Sequence, residues 1–259
     1  MTWTTRQRSE IGGLAAIVAG TGPLIVLVHG VGLRADAWAP VIDCLSTSHK
    51  VVAPDLPGHG ASPFSSGLQT LTGYSEAIAT LLSEPAIIVG HSLGAMIALD
   101  CATRFPERVT AVAALNAVFE RSALARKSVQ QRASSLDGQS VSDPGATLER
   151  WFGSAPSLAR EACRDWLISV EPKGYQAAYS VFASENGPNR SVLASLNMPA
   201  LFITGAKDPN STPEMSRQMA DLAPRGQAVI VSDAAHMMPM THVEDTVEAI
   251  RDLTERAAP

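Results

Sequence analysis

"AIIVGHSLGAMIALD", residues 86–100, sets an apolar run, a serine and a helix-like run end to end. Ala86 to Val89 has the unbroken apolar character of a strand covered on both faces. Beyond the serine, Leu93, Ile97 and Leu99, with Ala95 and Ala98, read as the opening of a helix. Gly90 and Gly94 flank Ser92 at two residues' distance on either side. A strand that turns sharply into a helix lifts the turn residue above the sheet edge and forces its backbone toward φ > 0. Strand and helix nearly touch there, so the neighbours two residues away must be small, and both glycines are. Ser92 then stands at a helix N-terminus, whose free N–H groups and positive dipole end favour developing negative charge. The bland alternative is a tight turn with an incidental serine. The strand before and the helix after argue instead for the nucleophile elbow, G-x-S-x-G.

Outward from this point the chain keeps the same rhythm. Further apolar runs fall at 14–20, 24–30, 50–55, 109–116, 200–205 and 227–233, several without polar alternation. Helix-like segments lie at about 36–46, 72–83, 93–105, 213–222 and 243–256. Such alternation implies parallel strands with helical crossovers, a three-layer, mostly parallel α/β sheet. The rhythm fails between about 117 and 195, where four helix-like pieces follow one another without a convincing strand. The expected organisation is a core of residues 1–116 and 196–259 carrying a helical cap insertion at 117–195.

A hydroxyl is a weak nucleophile at neutral pH and needs a base and an orienting acid. On this elbow the partners follow in the order Ser, acid, His. "LFITGAKDPNSTP" puts Asp208 in a loop after one strand, and "VIVSDAAHMMPM" puts His236 in a loop after the next. Both loops leave carboxyl ends of parallel strands, where open α/β sheets place their ligands. Asp208 would fix the tautomer of His236 and stabilise its protonated form. Asp233 is the runner-up acid, more plausible as a turn former. Asn116 ends a strand but, as an amide, cannot serve as the acid. For an oxyanion hole the expected donors are the backbone N–H groups of Val31, in "VLVHGVGLRADAW", and of Leu93. His29 reads as a ring bracing that loop, with a substrate contact as the lesser alternative. His59 is a tempting second base but fits better as a loop former, and the His91 ring should point away from the pocket.

The 259 residues carry a formal net charge of −5 with 46% hydrophobic side chains, enough for a sizeable core and unlike a nucleic-acid-binding surface. No apolar run has the length of a membrane span, and "MTWTTRQRSEIGG" shows no apolar leader segment, so a cytoplasmic location is expected. Cys44, Cys101 and Cys163 are widely spaced and read as reduced thiols. No His/Cys/Asp cluster has metal-ligand spacing, so no metal site is expected.

His29-Gly-Val-Gly32, Asp55-Leu-Pro-Gly-His-Gly60, Gly90-His-Ser-Leu-Gly94 and the Asp208 and His236 loops occur in this order. Together they resemble the α/β-hydrolase superfamily, over nearly the whole chain outside the cap. More narrowly, with "RFPERV" at 104–109, the chain is similar to the capped serine hydrolases that include 3-oxoadipate enol-lactonases and pimeloyl carrier-protein methyl esterases. The resemblance implies an α/β-hydrolase fold and cofactor-free cleavage of a small ester, lactone or thioester through an acyl group on Ser92. Carbon–carbon hydrolysis, a haloperoxidase-like activity and a catalytically silent receptor are the alternatives on the same residues. Two positions depart from the pattern: Val31 stands where the pimeloyl carrier-protein methyl esterases often have an aromatic, and Thr241 or His242 stands where a glutamate is common in the family.

The cap segment supplies Trp151, Trp166, Tyr175, Tyr179 and Phe182. Most should pack its helices, while Trp151, Tyr179 and Phe182 are candidates for an apolar substrate wall. Between 117 and 195 nine Lys/Arg face eight Asp/Glu, a net of +1 against −6 elsewhere. Arg121, Arg126, Lys127 and Arg132 carry much of this, favouring an acidic substrate or an acidic carrier protein unless they are only a solvated helix face. A monomer or homodimer is expected.

Overall fold

Apolar strands without alternation need cover on both faces, and the sheet of this protein has it. The computed structural model describes residues 3–67 and 69–258. Eight strands form one sheet in the order β1-β2-β4-β3-β5-β6-β7-β8. They are β1 (Ser9–Ile11), β2 (Leu14–Ala19), β3 (Leu24–Val28), β4 (Lys50–Pro54), β5 (Ala86–His91), β6 (Val109–Leu115), β7 (Ala200–Gly205) and β8 (Gly226–Val231). Strands β3 to β8 pair in parallel, while β1 with β2 and β2 with β4 are antiparallel.

Period-two geometry sends alternate residues of each strand to opposite layers. Val26, Ile88, Val112 and Phe202 face a core shared with α2 (Leu71–Ala79), α3 (Leu93–Arg104) and α9 (Pro213–Leu222). Ile25, Val89, Leu115 and Ile203 face a second core with α1 (Ala39–Leu45) and α11 (Val243–Ala257). This is the three-layer sheet the sequence implies. The expected helix at 72–83 ends at Ala79, because the chain tightens into three-residue turns there. The Arg108 guanidinium donates to the Ala79 and Leu82 carbonyls at 2.7 and 2.5 Å, so side-chain hydrogen bonds replace the missing helical ones.

Between β6 and β7 lie α4 (Ala123–Ser134), α5 (Gly145–Phe152), α6 (Leu158–Ser169), α7 (Pro172–Ser184) and α8 (Arg190–Ala194). The first four match the helical pieces read from the sequence, and α8, barely more than one turn, has no periodicity to read. A separate apolar cluster joins Leu148 of α5 and Cys163, Trp166 and Leu167 of α6 to Leu33, Met237 and Met240. Ala178 and Val181 of α7 join the main core. A single helical turn, α10 (Met238–Thr241), precedes α11. Among the described residues no helix is long and apolar enough to cross a membrane.

A buried charge cluster ties the N-terminal segment to the chain that follows β3 and to the loop after β4. Arg8 donates to Asp36 Oδ2 at 2.7 Å and to Asp55 Oδ2 at 2.9 Å. Asp55, fully buried, also accepts the N–H groups of Ala35 and Ala61 at 2.7 and 2.9 Å. Burial pushes its carboxyl pKa up, but Arg8 and these N–H donors outweigh burial and hold it below the usual value. The folded state therefore binds this proton less readily than the unfolded chain. The resulting stability is complete above about pH 4 and is lost as pH falls through the lower folded pKa. Asp55→Ala, which leaves Arg8 without one carboxylate, is expected to lower unfolding free energy at pH 7 by about 3–5 kcal/mol in a urea titration. A loss under about 1 kcal/mol would mean that the cluster is solvated rather than structural.

Candidate active site

The tight passage from β5 to α3 rests on its two glycines. A Cβ on Gly90 would lie 1.9 Å from the Gly94 carbonyl oxygen, and one on Gly94 would lie 2.1 Å from that of Val28. No real side chain fits either gap. Between them Ser92 takes φ 57° and ψ −116°, and its N–H donates to the Leu115 carbonyl at 2.9 Å. This is the left-handed strain expected at the apex of the turn. Ser92 is half-buried and opens on a cavity of about 450 Å³, which His236 also lines.

His236 sits in the loop after β8 and Asp208 in the loop after β7. The His236 Nδ1–H donates to Asp208 Oδ2 at 2.7 Å, both residues being buried. Asp208 Oδ2 also accepts from Asn116 Nδ2 at 2.8 Å, and Oδ1 accepts from the N–H groups of Asn210 and Ser211 at 2.9 and 3.2 Å. Burial raises the Asp208 pKa, but the attraction of His236 and these donors outweighs it and keeps the carboxyl below its usual range. An ionised Asp208 accepts only, so the imidazole proton is held on Nδ1 and the Nε2 lone pair stays available. His91 Nε2–H donates to the His236 carbonyl at 2.8 Å and fixes the loop backbone from behind. Burial lowers the His91 pKa to about 3, so this brace stays neutral.

Asp233 is exposed and pairs with exposed Lys207 at 3.0 Å, leaving Asp208 as the carboxylate at the imidazole. Asn116 is not the acid but its support. It follows β6 directly at φ 51°, donates to Asp208, and its carbonyl accepts from Ser211 Oγ at 2.7 Å. An amide after a strand gives no sequence signal for that task. Trp151 lines the cavity and stacks on the His236 ring with centroids 5.8 Å apart and planes at 27°. Tyr179 and Phe182 line the cavity too.

His29 as a substrate contact is corrected. Its ring is 1% exposed, away from the main cavity, with Nδ1–H donating to the Gly30 carbonyl at 2.8 Å and Nε2 accepting from Leu56 N–H at 2.9 Å. His59 plays the matching part, its Nε2 accepting from Gly32 N–H at 3.0 Å. Burial lowers these two pKa values to about 3 and about 4. Two neutral rings thus knit the glycine loop after β3 to the 55–60 loop. Val31 of that loop lines the cavity, and among the described residues no acceptor takes the N–H of Val31 or of Leu93.

The model of the alpha/beta hydrolase family matches residues 25–249. The chain belongs to that family. This alpha/beta hydrolase is 37% identical, over 90% of each chain, to the (E)-2-((N-methylformamido)methylene)succinate hydrolase of Acinetobacter baylyi. It is 33% identical to the pimeloyl-[acyl-carrier protein] methyl ester esterase of Chromobacterium violaceum, over 92% of this chain and 97% of that one. The fold of the crystallised enol-lactonase from Burkholderia xenovorans LB400 superimposes with a TM-score of 0.83, covering 96% of this hydrolase and 99% of that chain at 22% identity. With relatives that are a hydrolase and an esterase, this member of the alpha/beta hydrolase family is an enzyme.

Proposed function

We propose that this enzyme is a serine hydrolase that cleaves a small carboxylic ester, lactone, thioester or activated amide through an acyl-enzyme on Ser92. The observation that carries the reading is the 2.7 Å His236–Asp208 contact, with His236 and the strained Ser92 lining the same cavity. Names among its relatives support acyl hydrolysis, one a methyl ester esterase and one a hydrolase of a formamido-substituted succinate.

His236 Nε2 takes the Ser92 proton as Oγ bonds to the acyl carbon. The resulting oxyanion is received by the Val31 and Leu93 N–H groups. The bond to the leaving group then breaks, and the leaving group departs with the proton from His236. Water repeats the sequence: it gives a proton to His236, attacks the acyl carbon, and Ser92 recovers its proton as the carboxylic acid is released. The segment 117–195 acts as the cap that closes the cavity and selects the acyl group. The free, unpaired Cys44, Cys101 and Cys163 support a reducing, cytoplasmic setting.

A fluorophosphonate probe tests the reading directly. It is expected to label about one site per chain, mapping to Ser92 by peptide mass. No labelling of the native protein, or labelling elsewhere, would overturn it in favour of a silent binding protein.

A further inference from the structure

The cavity above Ser92 carries a marked imbalance of charge. Arg121, Arg132 and Arg150 line it, and among the described residues no aspartate or glutamate does. None of the three forms an ion pair among the described residues. Arg121 donates to the Glu185 and Phe182 carbonyls, Arg132 to the Tyr175 hydroxyl at 3.2 Å, and Arg150 to Thr147 Oγ1 at 3.2 Å. Arg132 Nε is buried with no partner at all. Leaving buried guanidinium N–H groups unpaired is costly unless a ligand meets them.

Their placement is built, not incidental. Tyr175, Tyr179 and Phe182 of α7 are spaced i, i+4, i+7, so one helix face carries a ladder of rings. Tyr175 and Tyr179 are 5.9 Å apart between ring centroids, as are Tyr179 and Phe182. Arg121 lies over Phe182 at 4.3 Å and Arg132 over Tyr179 at 5.3 Å. Two guanidiniums are thereby held on adjacent rungs, where stacking fixes them while their N–H groups keep capacity for an anion. Burial lowers the Arg121 pKa to about 10, which still leaves it charged at neutral pH. Arg150, exposed on α5, adds a third positive charge.

We infer that Arg121 and Arg132 form a subsite for a carboxylate remote from the scissile bond, with Arg150 attracting a second, so that the substrate is a small dicarboxylate. The planar fork of arginine matches the two oxygens of a carboxylate, and such charge-assisted pairs are the stronger hydrogen bonds. Aromatic rungs beside the cations suit a short carbon chain between the charges. The inference rests on the reading of Ser92 as the nucleophile of this cavity.

Calorimetric titration with glutarate tests the subsite without requiring turnover. Glutarate is expected to bind at least about tenfold tighter than the neutral glutaramide and to slow fluorophosphonate labelling of Ser92. Arg132→Gln is expected to weaken glutarate about tenfold or more, with Arg132→Lys recovering part of the loss. Arg150→Gln, a change at an exposed position, should weaken glutarate by a smaller factor. Equal binding of glutarate and glutaramide, an Arg132→Gln variant unchanged in glutarate affinity, or tighter binding of inorganic phosphate would each overturn the dicarboxylate assignment. Labelling at Ser92 without glutarate binding would sink the subsite alone. Glutarate binding without any labelling would sink the nucleophile and leave the subsite standing.

Discussion

Ser92→Ala is expected to lower kcat on an activated ester by about 10⁵–10⁶-fold, the scale on which removal of a triad nucleophile acts. The substitution deletes one oxygen and keeps the Cβ, so it tests the chemistry with little change in packing. Its backbone consequence is separable. Ser92 holds φ 57° because the elbow between Gly90 and Gly94 over-determines it, not because serine favours that conformation. Ser92→Gly is therefore expected to be as inactive as Ser92→Ala yet more stable, by about 1 kcal/mol once the greater freedom of glycine in the unfolded chain is allowed for. Activity within about tenfold of wild type in Ser92→Ala would end the acyl-enzyme reading. Equal stability of the alanine and glycine variants in urea would show that the turn stores no strain.

How far the sequence carries depends on which physics places each residue. Strand and helix alternation is written in period, so β3, β5, β6 and β7 fall where their apolar runs lie, and their two-sided burial follows from missing polar alternation. Loops at the carboxyl ends of β7 and β8 are forced onto one sheet edge by parallel pairing, so the neighbourhood of Asp208 and His236 is legible before any coordinate is known. His29 is not legible in the same way. A ring in a glycine loop can face a cavity or the loop behind it, and only the Leu56 N–H at 2.9 Å decides. The arginine wall is harder still. In sequence, Arg121 and Arg132 are part of a faint charge bias, diluted by Arg126 and Lys127, which do not line the cavity. Arg150 lies on a different helix, and the ring ladder of α7 looks like ordinary core spacing. Convergence of these elements is set by tertiary packing of the inserted helices, for which no local pattern exists.

Asp208→Asn is expected to reduce kcat by about 10³–10⁴-fold with the fold preserved, by analogy with the orienting acid of other triads. In the native enzyme Asp208 Oδ2 accepts both the His236 Nδ1–H at 2.7 Å and the Asn116 amide at 2.8 Å, while Oδ1 accepts two backbone N–H groups. An asparagine keeps the shape but must direct its NH₂ toward one of these donors. If the NH₂ takes the Oδ1 position it opposes the N–H groups of Asn210 and Ser211. If it takes the Oδ2 position it opposes Asn116 and donates to His236, whose proton must then move to Nε2. In the second arrangement the change of His236 tautomer removes one conflict, Asn116 alone stays opposed, and the two backbone bonds are kept, so it is favoured. It also leaves Nε2 with a proton where the hydroxyl of Ser92 needs a lone pair, so the variant binds substrate but activates nothing. The loss should therefore fall on kcat far more than on KM. Asp233→Asn is the matched control: its carboxylate is exposed and pairs with exposed Lys207, and its kcat should stay within about twofold of wild type. Near-normal turnover in Asp208→Asn, with a deep loss in Asp233→Asn, would reverse the assignment of the acid. A deep loss in both would instead point to the shared loop geometry, because Lys207 lies next to Asp208 and its backbone N–H donates to the Ala234 carbonyl at 2.9 Å.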